Sequence, residues 1–233
     1  IYLGDTARVP YGIRSPETVE RYSFECTGFL LKQNIKLLVI ACNTVSAISL
    51  EKIRESVPIP VVGVIEPGAR AAINATKNKK IGIIGTEATI RSAAYTRAVK
   101  ALDAGVEVFG LPCPLFVPLV EEGWTDGDIA RMVVGRYLER IADKGADTLV
   151  LGCTHYPLLK STIQDVLGNV RLIDSAVETA KVVKETLAGM GAGESGDTPR
   201  MSRFYVTDSP ERFIAVGERF LQREIRDIER VQL

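Results

Sequence analysis

Short aliphatic runs alternate along the chain with longer amphipathic stretches. Six runs are apolar on both faces, as in strands buried within a parallel sheet; they cover residues 36–41, 61–65, 80–84, 106–109, 147–151 and 170–173. The spacing between them predicts helices over residues 16–33, 89–102, 126–144 and 177–188. Strands separated by helices predict an α/β fold with mainly parallel sheets.

The pattern changes near the carboxyl end of the chain. Residues 187–202 are rich in Gly, Ser and Asp and predict a surface loop. A strand over residues 203–206 follows, and the Asp208-Ser209-Pro210 sequence predicts the start of a final helix near Glu211.

Two segments of the chain resemble each other in sequence. Residues 37–44 (LLVIACNT) resemble residues 148–155 (TLVLGCTH), and each is an aliphatic strand followed by one small residue and a cysteine. A helix-like stretch and a strand that ends in an acid follow both, with Glu66 in the first case and Asp174 in the second. This similarity predicts two similar α/β halves, each with one cysteine at the carboxyl end of a strand.

Composition narrows the class of protein. Hydrophobic residues make up 46% and charged residues 25%, which is typical of a globular domain. The 29 basic residues balance the 29 acidic ones, so we expect no nucleic-acid partner. No apolar run approaches the roughly 18 to 20 residues of a membrane span, so we expect no membrane partner. Four cysteines without a secretory signal indicate reduced thiols and a cytoplasmic location.

The chain begins at Ile1, inside a segment that already has the pattern of a strand. We therefore expect that a first structural element is missing.

Two of the four cysteines are placed for chemistry. Cys42 and Cys153 each follow a predicted strand and precede a helix-like segment. Ligands of open α/β sheets bind at the carboxyl ends of strands, and the partial positive charge of a helix N-terminus lowers a thiol pKa. Cys26 in a helix and Cys113 between two prolines are better explained as structural residues.

Few other residues stand out. His155, the single histidine, follows Cys153 by two positions, which suits proton transfer at that thiol. Thr86 and Thr89 follow strand 80–84, where hydroxyls and free amides suit a carboxylate, although an ordinary helix cap explains one of them equally well. Gly82 and Gly85 do not form a dinucleotide-binding fingerprint at strand 80–84, and the GxxxxGK[ST], CxxC and HExxH motifs are absent, so neither a nucleotide nor a metal is expected.

Taken together, the motifs resemble those of the glutamate racemases in the aspartate/glutamate racemase family. They occur in that family's order from the first residue to about Ser175. The matching segments are residues 4–6 (GDT), 10–12 (PYG), 41–44 (ACNT), 63–67 (GVIEP), 84–89 (IGTEAT), 113–121 (CPLFVPLVE) and 152–157 (GCTHYP).

The resemblance implies two α/β lobes with the active site in the cleft between them. The first lobe would comprise residues 1–66 and 176–233, and the second residues 67–175. It also implies an isomerase that interconverts L- and D-glutamate by a two-base mechanism, without cofactor or metal, and supplies D-glutamate for peptidoglycan. We expect glutamate as the small-molecule partner and a homodimer as the assembly.

The resemblance also implies residue roles. Cys42 would act on D-glutamate and Cys153 on L-glutamate, while His155 and Glu121 would assist proton transfer beside Cys153. The substrate would be bound by Tyr11, Gly12, Asn43, Thr44, Thr86, Thr89, Thr154 and His155. The family's first strand and its Asp-Ser-Gly loop have no counterpart after Ile1, so the implied activity depends on that segment being present.

Three alternatives stay open. A racemase for another acidic amino acid, such as aspartate, shares the two-cysteine arrangement. A hydrolase or transferase with Cys153 as nucleophile and His155 as base fits one half of the chain but leaves Cys42 unexplained. A non-catalytic α/β binding module fits the fold alone.

Overall fold

A computed structural model of the chain describes residues 1–192 and 202–233. Most of the predicted loop over residues 187–202 therefore lies outside the described residues. Every strand pair within the described ranges is parallel, which confirms the predicted α/β fold with mainly parallel sheets.

Nine strands form three sheets in the part of the chain that the structure describes. They are β1 (Tyr2–Gly4), β2 (Leu38–Ile40), β3 (Val61–Gly63), β4 (Lys80–Gly85), β5 (Glu107–Pro112), β6 (Thr148–Gly152), β7 (Arg171–Asp174), β8 (Phe204–Val206) and β9 (Ile228–Arg230). The sheets have the strand orders β1-β8-β9, β2-β3 and β5-β4-β6-β7.

Helices connect most of these strands. They are α1 (Pro16–Leu31), α2 (Asn43–Ile48), α3 (Leu50–Ser56), α4 (Ile65–Ala75), α5 (Glu87–Arg91), α6 (Ala94–Leu102), α7 (Phe116–Glu121), α8 (Gly127–Ala142), α9 (Lys160–Leu167), α10 (Ser175–Gly189) and α11 (Pro210–Leu221). Two short 3-10 helices cover Tyr11–Ile13 and Tyr156–Leu159. No helix within residues 1–192 and 202–233 is long and apolar enough to cross a membrane.

The four-stranded sheet and its helices form what we call the second lobe. Because side chains alternate along a strand, the two faces of this sheet bury different residues. Ile81 and Ile83 of β4 pack with α4 and α6, whereas Ile84 packs with Val134 and Leu138 of α8 on the other face. Helices on both faces explain why these strands are apolar throughout rather than alternating.

The two smaller sheets form what we call the first lobe. Val19 of α1 and Ile53 of α3 are fully buried against Leu38 and Ile40 of β2. The carboxyl-terminal strands return to the start of the chain, since Phe204 of β8 pairs with Tyr2 of β1. The lobe boundaries at residues 66–67 and 175–176 stay a prediction.

The structure corrects two local predictions and adds one strand. The predicted helix over residues 89–102 is two helices, because Ala93 adopts a left-handed conformation with φ of 53°. Glu66 does not end a strand but lies in the first turn of α4, where Pro67 is tolerated because its missing N–H has no partner there. Strand β9, which pairs at the edge of its sheet, was not predicted, because its sequence Ile-Glu-Arg is mostly exposed and polar.

Candidate active site

The two predicted catalytic cysteines follow corresponding strands in the two lobes. Cys42 comes after β2, is half-buried and caps the start of α2. Cys153 comes after β6 and is 7% exposed. The two thiols are close enough that a charge on Cys153 affects the pKa of Cys42.

The pKa of the Cys42 thiol moves opposite to the predicted direction. Burial raises it to about 11, and a negative charge on Cys153 raises it further. Hydrogen bonds from the amides of Val45 and Thr44 oppose this rise, as expected at a helix N-terminus, but they are outweighed by the loss of hydration. The expectation that placement at a helix start gives Cys42 a lowered pKa was therefore wrong, because burial has the larger effect.

Cys153 differs from Cys42 in its local structure. The 3-10 helix beginning at Tyr156 and then α9 beginning at Lys160 follow it, so no α-helix starts at Cys153. Pro157 lies within this 3-10 helix. The argument from helix placement consequently applies to Cys42 alone, and another group must act on Cys153.

That group is His155, which the structure places between Cys153 and Glu121. Its Nδ1 lies 3.8 Å from Sγ of Cys153, and its Nε2 lies 2.7 Å from Oε1 of Glu121. Burial lowers the pKa of His155, but the hydrogen bonds to Cys153 and Glu121 outweigh it and raise the pKa to about 9. His155 is therefore positively charged near neutral pH.

Glu121, rather than the adjacent Glu122, makes the contact with His155. The hydrogen bond from His155 lowers the pKa of Glu121 against the opposing effect of burial. Glu122 is exposed, and its Oε1 lies 3.9 Å from Nη2 of Arg212. Nη2 of Arg212 also lies 3.6 Å from Oε2 of Glu121, but a solvent-exposed ion pair at that distance contributes little to the stability of the fold.

Three predicted substrate-binding threonines meet in one cluster. Oγ1 of Thr44 lies 2.9 Å from Oγ1 of Thr86 and 3.2 Å from Oγ1 of Thr89, and the latter two are 3.0 Å apart. Thr86 also caps α5 by accepting from the amide of Thr89. The cluster joins the first lobe to the second, because Thr44 lies in α2 and the others lie at α5.

The other predicted binding residues are placed less uniformly. Asn43 is buried, and its Oδ1 accepts from the hydroxyl of Tyr95 at 2.7 Å. The hydroxyl of Tyr11 donates to Asp5, so it is already engaged. Thr154 is exposed, and its hydroxyl lies 3.4 Å from Nδ1 of His155.

Gly12 lies directly against the threonine cluster. A Cβ at this position would lie 2.6 Å from Cγ2 and 2.9 Å from Oγ1 of Thr86, which is too close for any side chain. The absence of a side chain at Gly12 thus permits the close approach of the two lobes.

Cys26 and Cys113 have different neighbours from the two predicted catalytic thiols: Cys26 lies beside Arg8 and Tyr11, and Sγ of Cys113 lies 3.7 Å from the carbonyl oxygen of Leu111. Cys113 is fully buried, and burial strongly raises its thiol pKa. Cys26 lies in α1, 3.7 Å from Nη2 of Arg8, and burial raises its pKa to about 11.

Two residues near the site received no role from the sequence. Tyr95 fits the apolar pattern of α6 and gave no separate signal. Asp5 lies in the GDT segment, which is one of the motifs shared with the racemases. That shared motif is the sequence feature that could have marked Asp5 as a residue of the site.

A comparison with known protein families identifies the family of this chain. The model for Asp/Glu/hydantoin racemases matches residues 1–183. The chain belongs to this racemase family. The glutamate racemase from Geobacter metallireducens is 53% identical over 234 residues, covering 100% of this chain and 87% of that relative. The expectation that a first strand and an Asp-Ser-Gly loop are missing is not borne out by these comparisons.

Solved structures of racemases share the fold. A glutamate racemase isoform from Bacillus anthracis is 42% identical, with a TM-score of 0.95, covering 100% of this chain and 87% of that one. The glutamate racemase from Francisella tularensis, solved with D-glutamate, is 39% identical, with a TM-score of 0.93, covering 99% of this chain and 86% of that one. These structures support the two-lobe fold.

The close approach at Gly12 gives a first test in this racemase. We expect Gly12→Ala to cost about 1–3 kcal/mol of stability and to weaken substrate binding, because the added methyl group displaces Thr86. The matched control is Gly28→Ala in α1, where an added Cβ meets nothing within 4 Å. That control should be neutral or stabilising by about 0.5–1 kcal/mol. Thermal unfolding measures the change in stability, and KM reports the change in substrate binding. An unchanged KM in Gly12→Ala would contradict the prediction that Gly12 is a substrate-binding residue.

Proposed function

We propose that this racemase interconverts L- and D-glutamate by a two-base mechanism and so supplies D-glutamate for peptidoglycan. The observation that carries this proposal is the placement of Cys42 and Cys153. They follow corresponding strands of the two lobes, and they are close enough for the charge of one to affect the other. A racemase needs an acid and a base on opposite faces of one carbon, and two such thiols suit that need.

The proposed reaction moves two protons. From D-glutamate, the Cys42 thiolate removes the α-proton, and the Cys153 thiol delivers a proton to the opposite face. The product is L-glutamate, with Cys42 now a thiol and Cys153 now a thiolate. The reverse reaction starts from that protonation state. His155 supports proton transfer at Cys153, because its Nδ1 lies 3.8 Å from that sulfur and Glu121 holds the imidazole in place.

The high pKa of Cys42 indicates how substrate binding contributes. With a pKa of about 11, roughly one thiol in ten thousand is ionised at pH 7, a penalty of about 5 kcal/mol. The α-ammonium group of a bound amino acid brings a positive charge beside the thiol. An opposite charge within ~4–6 Å favours the ionised form, so binding itself helps to create the base.

The hydroxyl cluster of Thr44, Thr86 and Thr89 is proposed to bind a carboxylate of the substrate. The three hydroxyls currently bond to one another, and each has a proton that it can donate to an anion instead. Asn43 and Thr154 complete the proposed substrate contacts, together with the Tyr11–Gly12 turn.

Incubation with single enantiomers in D₂O tests the function. We expect chiral analysis to show conversion of L- and D-glutamate into each other, with solvent deuterium at the α-carbon of the product. Aspartate serves as the matched control, since it lacks one methylene group. Turnover of aspartate but not glutamate would favour the alternative racemase. An acyl-thioester on Cys153 detected by mass spectrometry would favour a hydrolase or transferase instead.

Assembly, location and domain limits belong to the same proposal. We propose a homodimer, which sedimentation of the protein would test. We propose a cytoplasmic location, because the chain depends on reduced thiols at Cys42 and Cys153. The proposed lobes comprise residues 1–66 with 176–233, and residues 67–175, with the ligand pocket between them.

A further inference from the structure

The buried carboxylate of Asp5 is the centre of a hydrogen-bonded cluster that the proposed proton transfer does not use. The side chain is 7% exposed. Its Oδ2 accepts from Nε of Arg8 at 2.6 Å and from the hydroxyl of Tyr11, and its Oδ1 accepts from the hydroxyl of Thr207 at 2.9 Å. A buried charge requires such partners, so this arrangement is specific rather than incidental.

One side of the cluster is anchored to the carboxyl-terminal segment. The amide of Thr207 donates to the carbonyl of Gly4 at 3.1 Å, and the amide of Ala7 donates to the Thr207 hydroxyl at 2.9 Å. The amide of Asp208 donates to the hydroxyl of Thr6 at 2.7 Å. Residues 4–7 therefore extend the β1–β8 pairing and give Asp5 a fixed position.

The other side of the cluster is the turn at Tyr11 and Gly12. The ring of Tyr11 is buried beside that of Tyr22, with centroids 5.8 Å apart, and its hydroxyl is bound by Asp5. The turn closes where the amide of Arg14 donates to the carbonyl of Tyr11 at 3.0 Å. Gly12 then follows in direct contact with Thr86 of the second lobe.

We propose that Asp5 is a positioning residue for the racemase site. Its carboxylate holds the Tyr11 hydroxyl and thereby sets how closely the Gly12 backbone approaches Thr86. The Tyr11 phenol serves as an internal anchor, and the turn offers the substrate its main-chain groups. This inference rests on the proposed function, because the threonine cluster is there assigned to a substrate carboxylate.

Steady-state kinetics of Asp5→Ala, Tyr11→Phe and the double variant test the inference. Both single changes remove the same hydrogen bond. We expect each change to raise KM about tenfold, because a hydrogen bond to a charged group, here from Tyr11 to the Asp5 carboxylate, is lost. We expect kcat to change less than about threefold. The double variant should be no worse than Asp5→Ala. An unchanged KM in Tyr11→Phe would overturn the inference, since the bond would then not act through the turn.

Glu25→Gln is the matched control. Glu25 is the other carboxylate bound by Arg8, but it is more exposed, and the Tyr11 hydroxyl bonds to Asp5. We expect its KM and kcat to stay within about twofold of the unchanged protein. A rise in KM equal to that of Asp5→Ala would overturn the inference, because the effect would then belong to Arg8.

Hydrogen exchange separates this inference from the proposed function. The amides of residues 11–14 should exchange faster in Tyr11→Phe and Asp5→Ala than in Glu25→Gln, whether or not the protein turns over glutamate. Failure of the unchanged protein to racemise glutamate would count against the function alone. Unchanged exchange in Tyr11→Phe would overturn the positioning role. If Asp5→Ala does not fold, Tyr11→Phe decides both measurements.

Discussion

Serine in place of either Cys42 or Cys153 is expected to lower racemisation by roughly 10²- to 10⁴-fold. A hydroxyl holds its proton far more tightly than a thiol, although the two groups are similar in shape. Each direction of the reaction needs both sulfurs, one as base and one as acid. Both single variants should therefore lose both directions, as polarimetry or chiral chromatography would show.

The two serine variants should nevertheless differ in a partial reaction. Elimination from a glutamate analogue with a leaving group on the β-carbon needs one base alone. Cys42→Ser keeps Cys153 and should act on the L-analogue, whereas Cys153→Ser keeps Cys42 and should act on the D-analogue. The same handedness preference in both variants would contradict the assignment of the two faces.

Cys26→Ser is the control for the loss of a thiol. Cys26 is half-buried in α1 and its pKa is raised by burial like that of Cys42, but Arg8 is its side-chain neighbour. Any loss should come through packing, with a cost typically within about 0.5–3 kcal/mol of stability. If Cys26→Ser stops turnover in a folded protein while Cys42→Ser does not, the two-base proposal fails.

The sheets and the positions of the two cysteines follow from local sequence patterns. Residues 80–84 and 147–151 are apolar on both faces because helices cover both sides of the second-lobe sheet, and the pattern records that burial directly. The break at Ala93 was not predictable in this way. Neither glycine nor proline marks it, and the turn depends on Ser92, whose hydroxyl accepts from the amide of Ala94 at 3.2 Å.

The side-chain contacts of the site depend on long-range packing. Glu121 and His155 are 34 residues apart, so the resemblance suggested their association but local pattern did not. The pKa of Cys42 illustrates the same limit. Placement at a helix start predicts a lowered value, whereas the raised value reflects how tightly the folded chain encloses the thiol. The burial of this thiol cannot be predicted from the residues next to it in the sequence, because distant parts of the chain enclose it.

Removal of the Glu121 charge should change the pH dependence of the reaction. His155 has a pKa of about 9, so its charge is lost as pH rises through that value. The interaction between charged His155 and Glu121 also stabilises the folded state. This stabilisation is fully present below the ordinary His pKa of about 6.5, and it is lost as pH rises through about 9. We expect kcat/KM to fall along an alkaline limb near pH 9, because this limb reports the free protein.

Glu121→Gln should move that limb to lower pH. The carboxylate of Glu121 favours the charged imidazole, so a neutral amide in its place lowers the pKa of His155. Glu122→Gln is the matched control, because it removes a neighbouring, exposed charge that also lies near Arg212, whereas the hydrogen bond to His155 belongs to Glu121.

The measurement is kcat/KM against pH for both enantiomers and all three proteins. Free L- and D-glutamate have equal energy, so the two directions must give the same kcat/KM profile at every pH, which checks the data internally. A limb that stays in place in Glu121→Gln, or that moves equally in Glu122→Gln, would show that His155 is not the group whose proton the reaction requires. The proton on the Cys153 side would then have to be supplied without the imidazole, although its Nδ1 lies 3.8 Å from that sulfur.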